Sequence, residues 1–145
     1  MTEILAPGDV VTAVSAASKE DAIREAGAIL VRAGAVAPAY VDAMLERERS
    51  VSTAMGNFLA IPHGTEQAKG AIVRSALCLV RYDEPVDWGG QPVRVVVGIA
   101  GVGDEHLEIL SRIALVFADM DQVERVLNAP SAAELYEILQ QVNTE

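Results

Sequence analysis

Cysteine is nearly missing from this sequence: Cys78 is the one thiol in 145 residues, which excludes an internal disulfide framework. Aromatics are also few, with one tryptophan, three tyrosines and two phenylalanines, so a core has to be assembled from Val, Ile, Leu and Ala. Basic residues fall short of acidic ones, 11 Lys and Arg against 21 Asp and Glu, for a formal net charge of −10. Nucleic-acid binding needs a basic patch to replace counterions, so that class is set aside. Anionic membrane surfaces are disfavoured for the same reason. No run approaches the ~20 apolar residues of a membrane span, and no N-terminal apolar segment resembles a signal peptide. Direct membrane insertion is therefore not expected, and the chain reads as cytoplasmic. Internal repeats, low-complexity tracts and linkers are lacking too. So are the GxxxxGKS/T loop and the GxGxxG fingerprint, which leaves ATP without a direct site.

What is present suits a single domain over residues 1–145, long enough to bury roughly two-thirds of its unfolded surface. Val10-Val11 begins a short extended piece after the Pro7-Gly8 break. Ser18, with Asp21 three residues on, has the capping-box spacing for a helix whose apolar face runs through Ile23, Ala26, Ile29 and Leu30 and which stops at Gly34. Pro38 opens a second helix with Tyr40, Val41, Met44 and Leu45 on one face, ending near Arg47 to Arg49. Ser75 to Tyr82 and Val93 to Ala100 read as interior strands, continuous and apolar, the second crowded with β-branched residues. Cys78 lies inside the first and reads as an inert core thiol. Between them, Asp83 to Gly90 reads as a loop or hairpin-like connection rich in turn residues. Gly98, Gly101 and Gly103 break the second strand, and Asp104 is placed to cap a helix through Leu107, Leu110, Ile113 and Phe117. Shorter helices follow from Asp121 to Leu127 and, capped by Ser131, to about Gln141. Helices interleaved with apolar strands predict an α/β layered fold with a central sheet covered on both faces.

One stretch stands apart. Phe58 to Ile61 reads as a buried strand that ends abruptly at Pro62, which has no N–H for a central ladder. His63 follows, at the mouth of a loop, and Gly64 removes a side chain beside its ring so that a second macromolecule could approach. Glu66 to Lys69 then begins a short helix or turn whose free N–H groups favour an anion. There are two histidines, and the other, His106, also falls just after a strand. Both stand where α/β sheets gather their sites.

Glu48, then Met55-Gly56, then Leu59-Ala60-Ile61-Pro62-His63-Gly64 resembles the phosphohistidine signature of enzyme IIA of the bacterial sugar phosphotransferase system, mannitol/fructose type. Val97 to Leu110 resembles the family's second histidine segment, and Met44-Leu45-Glu46-Arg47-Glu48 its arginine-bearing helix end. The blocks come in the family's order and span nearly the whole chain. Met55-Gly56-Asn57-Phe58 and Gly98-Ile99-Ala100-Gly101 look closest to the mannitol proteins.

The resemblance implies a mixed sheet between helical layers. It also implies that His63 accepts a phosphoryl group from the histidine of the phosphocarrier HPr and passes it to a cysteine of the enzyme IIB domain of a sugar permease. The chain would act as a separate polypeptide. Neutral imidazole has the free lone pair for such carriage near pH 7. In the same comparison His106 is a supporting donor to the phosphoryl oxygens, or the partner that sets which nitrogen of His63 is nucleophilic. Arg47 holds the family arginine's position and would stabilise the phosphoryl oxygens, with Arg49 a nearby decoy. The plainer role for Arg47 is pairing with Glu46 or Glu48. Thr65 is a phosphate donor or a simple cap. Met55, Phe58 and Leu59 form an apolar docking rim or belong to the core. Trp88 sits in what resembles a family turn and is given no chemistry.

No cofactor and no metal are implied. A regulatory, nitrogen-type enzyme IIA signalling by its phosphorylation state is the main alternative. A metal-dependent hydrolase using both histidines with Asp104 or Glu105 lacks any HxxxH or CxxC spacing. A pure adaptor would take up no phosphoryl group.

Overall fold

The computed structural model describes residues 4–143. In chain order its first half contains β1 (Val10–Ala13), α1 (Lys19–Arg32), α2 (Ala39–Ser50), β2 (Ala54–Gly56) and β3 (Leu59–Ala60). Its second half contains β4 (Ala76–Trp88), β5 (Gln91–Ala100), α3 (Glu105–Phe117), α4 (Met120–Asn128) and α5 (Ala132–Leu139). The strands make one five-stranded sheet in the order β1-β4-β5-β3-β2. β1 runs parallel to β4 and β3 parallel to β5, while β4–β5 and β2–β3 are antiparallel, so the sheet is mixed. Among the described residues no helix is long and apolar enough to cross a membrane.

Strand alternation sorts the apolar side chains onto two faces. Leu77, Leu79, Val95, Val97 and Ile99 pack with α3, α4 and α5. Ala76, Cys78, Val80, Tyr82, Val96 and Ala100 pack with α1 and α2. Both faces are covered, as the apolar runs predict. Burial pushes the Cys78 thiol up to about 12, so it stays protonated.

The local signals act where they were read. Ser18 Oγ accepts from Asp21 N at 3.1 Å, Gly34 takes φ 76° just beyond α1, and Ser131 Oγ accepts from Glu134 N at 3.2 Å. Three expectations need correction. Of the two readings of Asp83 to Gly90 the hairpin holds and the loop does not: β4 continues through Trp88, and the turn is Gly89-Gly90, with φ 65° and 97° as a two-residue type I′ hairpin requires. The acids and Pro85 that suggested a loop sit where the β4–β5 register shifts between Arg81 and Val86, a bulge that frees Pro85 from donating to the ladder. The strand expected from Phe58 to Ile61 is only Leu59–Ala60, because Asn57 and Phe58 (φ 54° and 66°) form the β2–β3 turn. Asp104 precedes α3 with φ −73° and ψ −12° in place of the extended backbone of a capping residue, and its side chain makes no cap bond; Glu105 N donates instead to Val102 O at 3.1 Å.

The α4 end is capped from the sheet. Arg81, 5% exposed, reaches out of β4 and donates from Nη1 to Val126 O at 3.1 Å and Ala129 O at 2.6 Å. These carbonyls belong to the set that every helix end leaves without an intrahelical partner. Replacing Arg81 by methionine keeps the apolar stem and strands the carbonyls in the core. Arg81→Met is expected to lower the free energy of unfolding by about 3 kcal/mol, read as a lower urea midpoint at unchanged slope. An unchanged midpoint would show that the caps add nothing.

Candidate functional site

Because β3 is so short, the chain leaves the sheet almost at once, yet it does not leave β5. Ile99 N donates to Pro62 O at 3.0 Å, and His63 lies against Ile99 in a parallel bridge. Pro62 therefore contributes its acceptor to the sheet and needs no donor, which is why a proline is tolerated there. On the other side Ile61 N donates to Thr53 O at 3.0 Å. The histidine is held at the sheet end by backbone on both flanks.

The next residue shows why it is glycine. A Cβ on Gly64 would stand 2.5 Å from Tyr40 Cε1, far inside van der Waals contact with the ring. The sequence reading gave this glycine to an approaching partner; its neighbour is instead a side chain of the same protein. Tyr40, 2% exposed, donates its hydroxyl to Ile99 O at 2.9 Å and accepts from Gly64 N at 2.8 Å. Sequence reasoning put Tyr40 only on the apolar face of α2. The available signal was that a buried tyrosine needs partners for its hydroxyl and a small neighbour for its ring.

His63 Nδ1 lies 2.9 Å from Ile61 O. A carbonyl can only accept, so Nδ1 carries the proton and Nε2 keeps the lone pair. His106, in the first turn of α3, brings its ring centroid to 5.0 Å from that of His63 at an interplanar angle of 59°. The approach depends on Gly101, where a Cβ would come within 2.6 Å of His106 Cα. Burial pushes the His63 pKa below the ordinary histidine value; the Ile61 bond opposes this, and the Arg47 charge adds to it. His106 is lowered too, first by burial and then by His63 and Lys69. Both shifts favour the neutral ring.

A cleft of about 300 Å³ opens over the pair, with Tyr40, Arg47, Thr65, Glu66 and Lys69 among its lining. The three predicted site residues, His63, His106 and Arg47, all border it; Arg49 is not among its lining residues. Arg47 donates from Nη1 to Val51 O at 2.8 Å, while Glu48 directs its carboxylate to Thr53 and Trp88 and not to Arg47. Lys69, which sequence reasoning missed, pairs with Glu66 at 3.6 Å. Thr65 precedes the 3-10 turn Glu66–Ala71 without a side-chain cap bond. Trp88, assigned to a turn, is instead the buried last residue of β4 and donates its indole N–H to Glu48 at 3.1 Å. Of the proposed apolar rim, Met55 and Phe58 are exposed, but Leu59 is core. Among the described residues, no group of three or more His, Cys, Asp or Glu side chains is placed to hold a metal ion. Glu105 instead accepts from Ser75 Oγ at 2.8 Å.

The protein-family model for the phosphoenolpyruvate-dependent sugar phosphotransferase system, EIIA 2, matches residues 3–142. The mannitol-specific phosphotransferase enzyme IIA component of Halalkalibacterium halodurans is 51% identical over 140 residues, covering 97% of each chain. The crystal structure of mannitol enzyme IIA from Escherichia coli superposes with a TM-score of 0.83 at 35% identity, covering 91% of this chain and 96% of that one. The same bacterium's mannitol IIA, solved in complex with phosphorylated mannitol IIB, superposes with a TM-score of 0.83 at 34% identity, over 90% of this chain and 94% of that one. A two-histidine cleft at the end of a mixed sheet, a family match over almost the full length and close mannitol-type relatives lead to one conclusion: the chain belongs to the EIIA 2 family of the phosphoenolpyruvate-dependent sugar phosphotransferase system.

Proposed function

We propose that this chain is the phosphoryl relay of a mannitol phosphotransferase system, working in the cytoplasm between HPr and an enzyme IIB domain. The observation that carries the reading is the Nδ1–H bond of His63 to Ile61 O, 2.9 Å long, which leaves Nε2 as the free nucleophile. Nε2 attacks the phosphorus of phospho-HPr. The donor's P–N bond breaks, its electron pair returns to the HPr imidazole, and a new N–P bond forms on His63. The ring then bears a proton on Nδ1 and the phosphoryl group on Nε2, so it is cationic. The Ile61 carbonyl steadies that charge and keeps the ring a good leaving group. In the second step a thiolate of enzyme IIB attacks the phosphorus, and the His63 N–P pair returns to Nε2 as the bond breaks.

Charge develops on the phosphoryl oxygens in both steps, and catalysis consists of meeting it with fixed donors. Arg47, Lys69 and His106 border the cleft for that purpose. A groove beside His63, lined by Met55, Ile61, Leu110 and Ala114, offers partners an apolar rim, and Phe58 and Leu107 are exposed as well. The mannitol IIA solved with its phosphorylated IIB supports the second partner by homology.

Incubation with phosphoenolpyruvate, enzyme I and HPr is expected to add one acid-labile, base-stable phosphoryl group, seen by intact mass and placed on Nε2 by 15N NMR. His63→Ala is expected to take none while keeping its fold, since the side chain is only half-buried. Label on the mutant, or on Nδ1 of wild type, contradicts the mechanism. His106→Ala is expected to accept the group but transfer it roughly tenfold to a hundredfold more slowly, the cost of one charge-assisted hydrogen bond; normal kinetics would remove His106 from the donor set. Proton NMR titration is expected to give both histidines midpoints below the ordinary ~6.5, because burial disfavours the charged ring. His63→Ala should raise the His106 midpoint by removing both cover and repulsion.

A further inference from the structure

Glu48 neighbours the arginine of the cleft, yet its side chain goes the other way, into the protein, where it is 5% exposed. An isolated carboxylate there would be costly to bury, and this one is matched only by donors. Thr53 N lies 3.0 Å from Oε2, Thr53 Oγ1 donates to Oε1 at 2.5 Å, and Trp88 Nε1 donates to Oε2 at 3.1 Å. An acceptor-only group fits these three donors as they stand; an amide fits only with its oxygen in the Oε2 position and the Thr53 hydroxyl turned round to accept from its NH2. Buried ions satisfied in this way are weak devices for stability, since well-packed apolar side chains do as well. They do fix directions.

What Glu48 fixes is the site. Thr53 O accepts from Ile61 N at 3.0 Å, and Ile61 O accepts the proton of His63 Nδ1 at 2.9 Å. The carboxylate therefore anchors the residue on which the backbone under the nucleophile rests. On its other side it pins the last turn of α2, the turn that carries Arg47, whose guanidinium is braced on Val51 O between Glu48 and Thr53 in sequence. Trp88 ties the same point to the end of β4. Nucleophile and cation come from separate elements, and Glu48 is where the two supports meet. Its charge also reaches the His63 ring, where it opposes the effect of burial.

We propose that Glu48 is a positioning residue for phosphoryl transfer, its buried carboxylate setting the His63 ring and the Arg47 guanidinium in register through Thr53 and the last turn of α2. The proposal rests on His63 being the phosphoryl acceptor. It predicts an effect on the rate of the chemical step and not on partner affinity.

The test compares wild type with Glu48→Gln, Thr53→Val and Thr53→Ser, using two phosphoryl donors, phospho-HPr and the small molecule phosphoramidate. Phosphoramidate needs no docking surface, so it reads the site alone. Glu48→Gln, which loses the charge and reverses the hydroxyl bond, is expected to lower kcat severalfold with KM for phospho-HPr within twofold, and to slow labelling by phosphoramidate by a similar factor. Thr53→Val, nearly isosteric, should slow both donors severalfold. Thr53→Ser, which restores the hydroxyl, should return the rate to near wild type. If Glu48→Gln does not fold, the threonine pair decides alone. Variants that lose thermal stability but react at the wild-type rate per folded molecule would overturn the proposal and leave the relay standing. Wild type refusing both donors would overturn the relay and the proposal with it.

Discussion

The Tyr40 hydroxyl holds two backbone groups that belong to different parts of the fold, Ile99 O at the end of β5 and Gly64 N just past His63. With Pro62 supplying no donor, the His63 loop has one fewer ladder bond to keep it at the sheet, and a side chain from α2 supplies the connection. The result is a histidine attached to a rigid sheet end without being part of a strand. Its ring borders the cleft while its backbone cannot drift, and binding geometry built on regular elements is more exact than geometry built on loops.

The two faces of the sheet divide the work. The face covered by α1 and α2 carries Tyr40, Glu48 and Arg47, the side chains that locate and charge the cleft. The face covered by α3, α4 and α5 carries His106 and the exposed apolar residues around the groove. His106 still borders the same cleft as Tyr40 and Arg47, because Gly101 allows the first turn of α3 to sit close against the chain leaving β5. Two cations, Arg47 and Lys69, border the cleft in a molecule of formal net charge −10.

Much of this was legible from neighbouring residues alone. Ser18 and Ser131 announced their helices because a cap bond spans only three positions. The strands β4 and β5 announced themselves through long apolar runs, and His63 through its proline and glycine. What escaped the sequence was whatever depends on distant partners. Tyr40 meets Ile99 across 59 positions and Trp88 meets Glu48 across 40, and no local pattern marks either pair. The tail of β4 was hidden differently, since its bulge removed the pairing rule by which Pro85 seemed excluded. Asp104 misled because an acid before a helix is a common cap, whereas here the first turn closes on a backbone carbonyl.

The contact between Gly64 and Tyr40 also bears on inheritance. A Cβ at position 64 would overlap the tyrosine ring at 2.5 Å, and a smaller residue at position 40 would make that room but remove the hydroxyl that both backbone groups use. Neither position has a neutral single step open to it. Lineages descending from such a protein should therefore keep the two residues together or exchange them together. The constraint would appear as a correlated pair, although one member lies in a helix and the other in a loop.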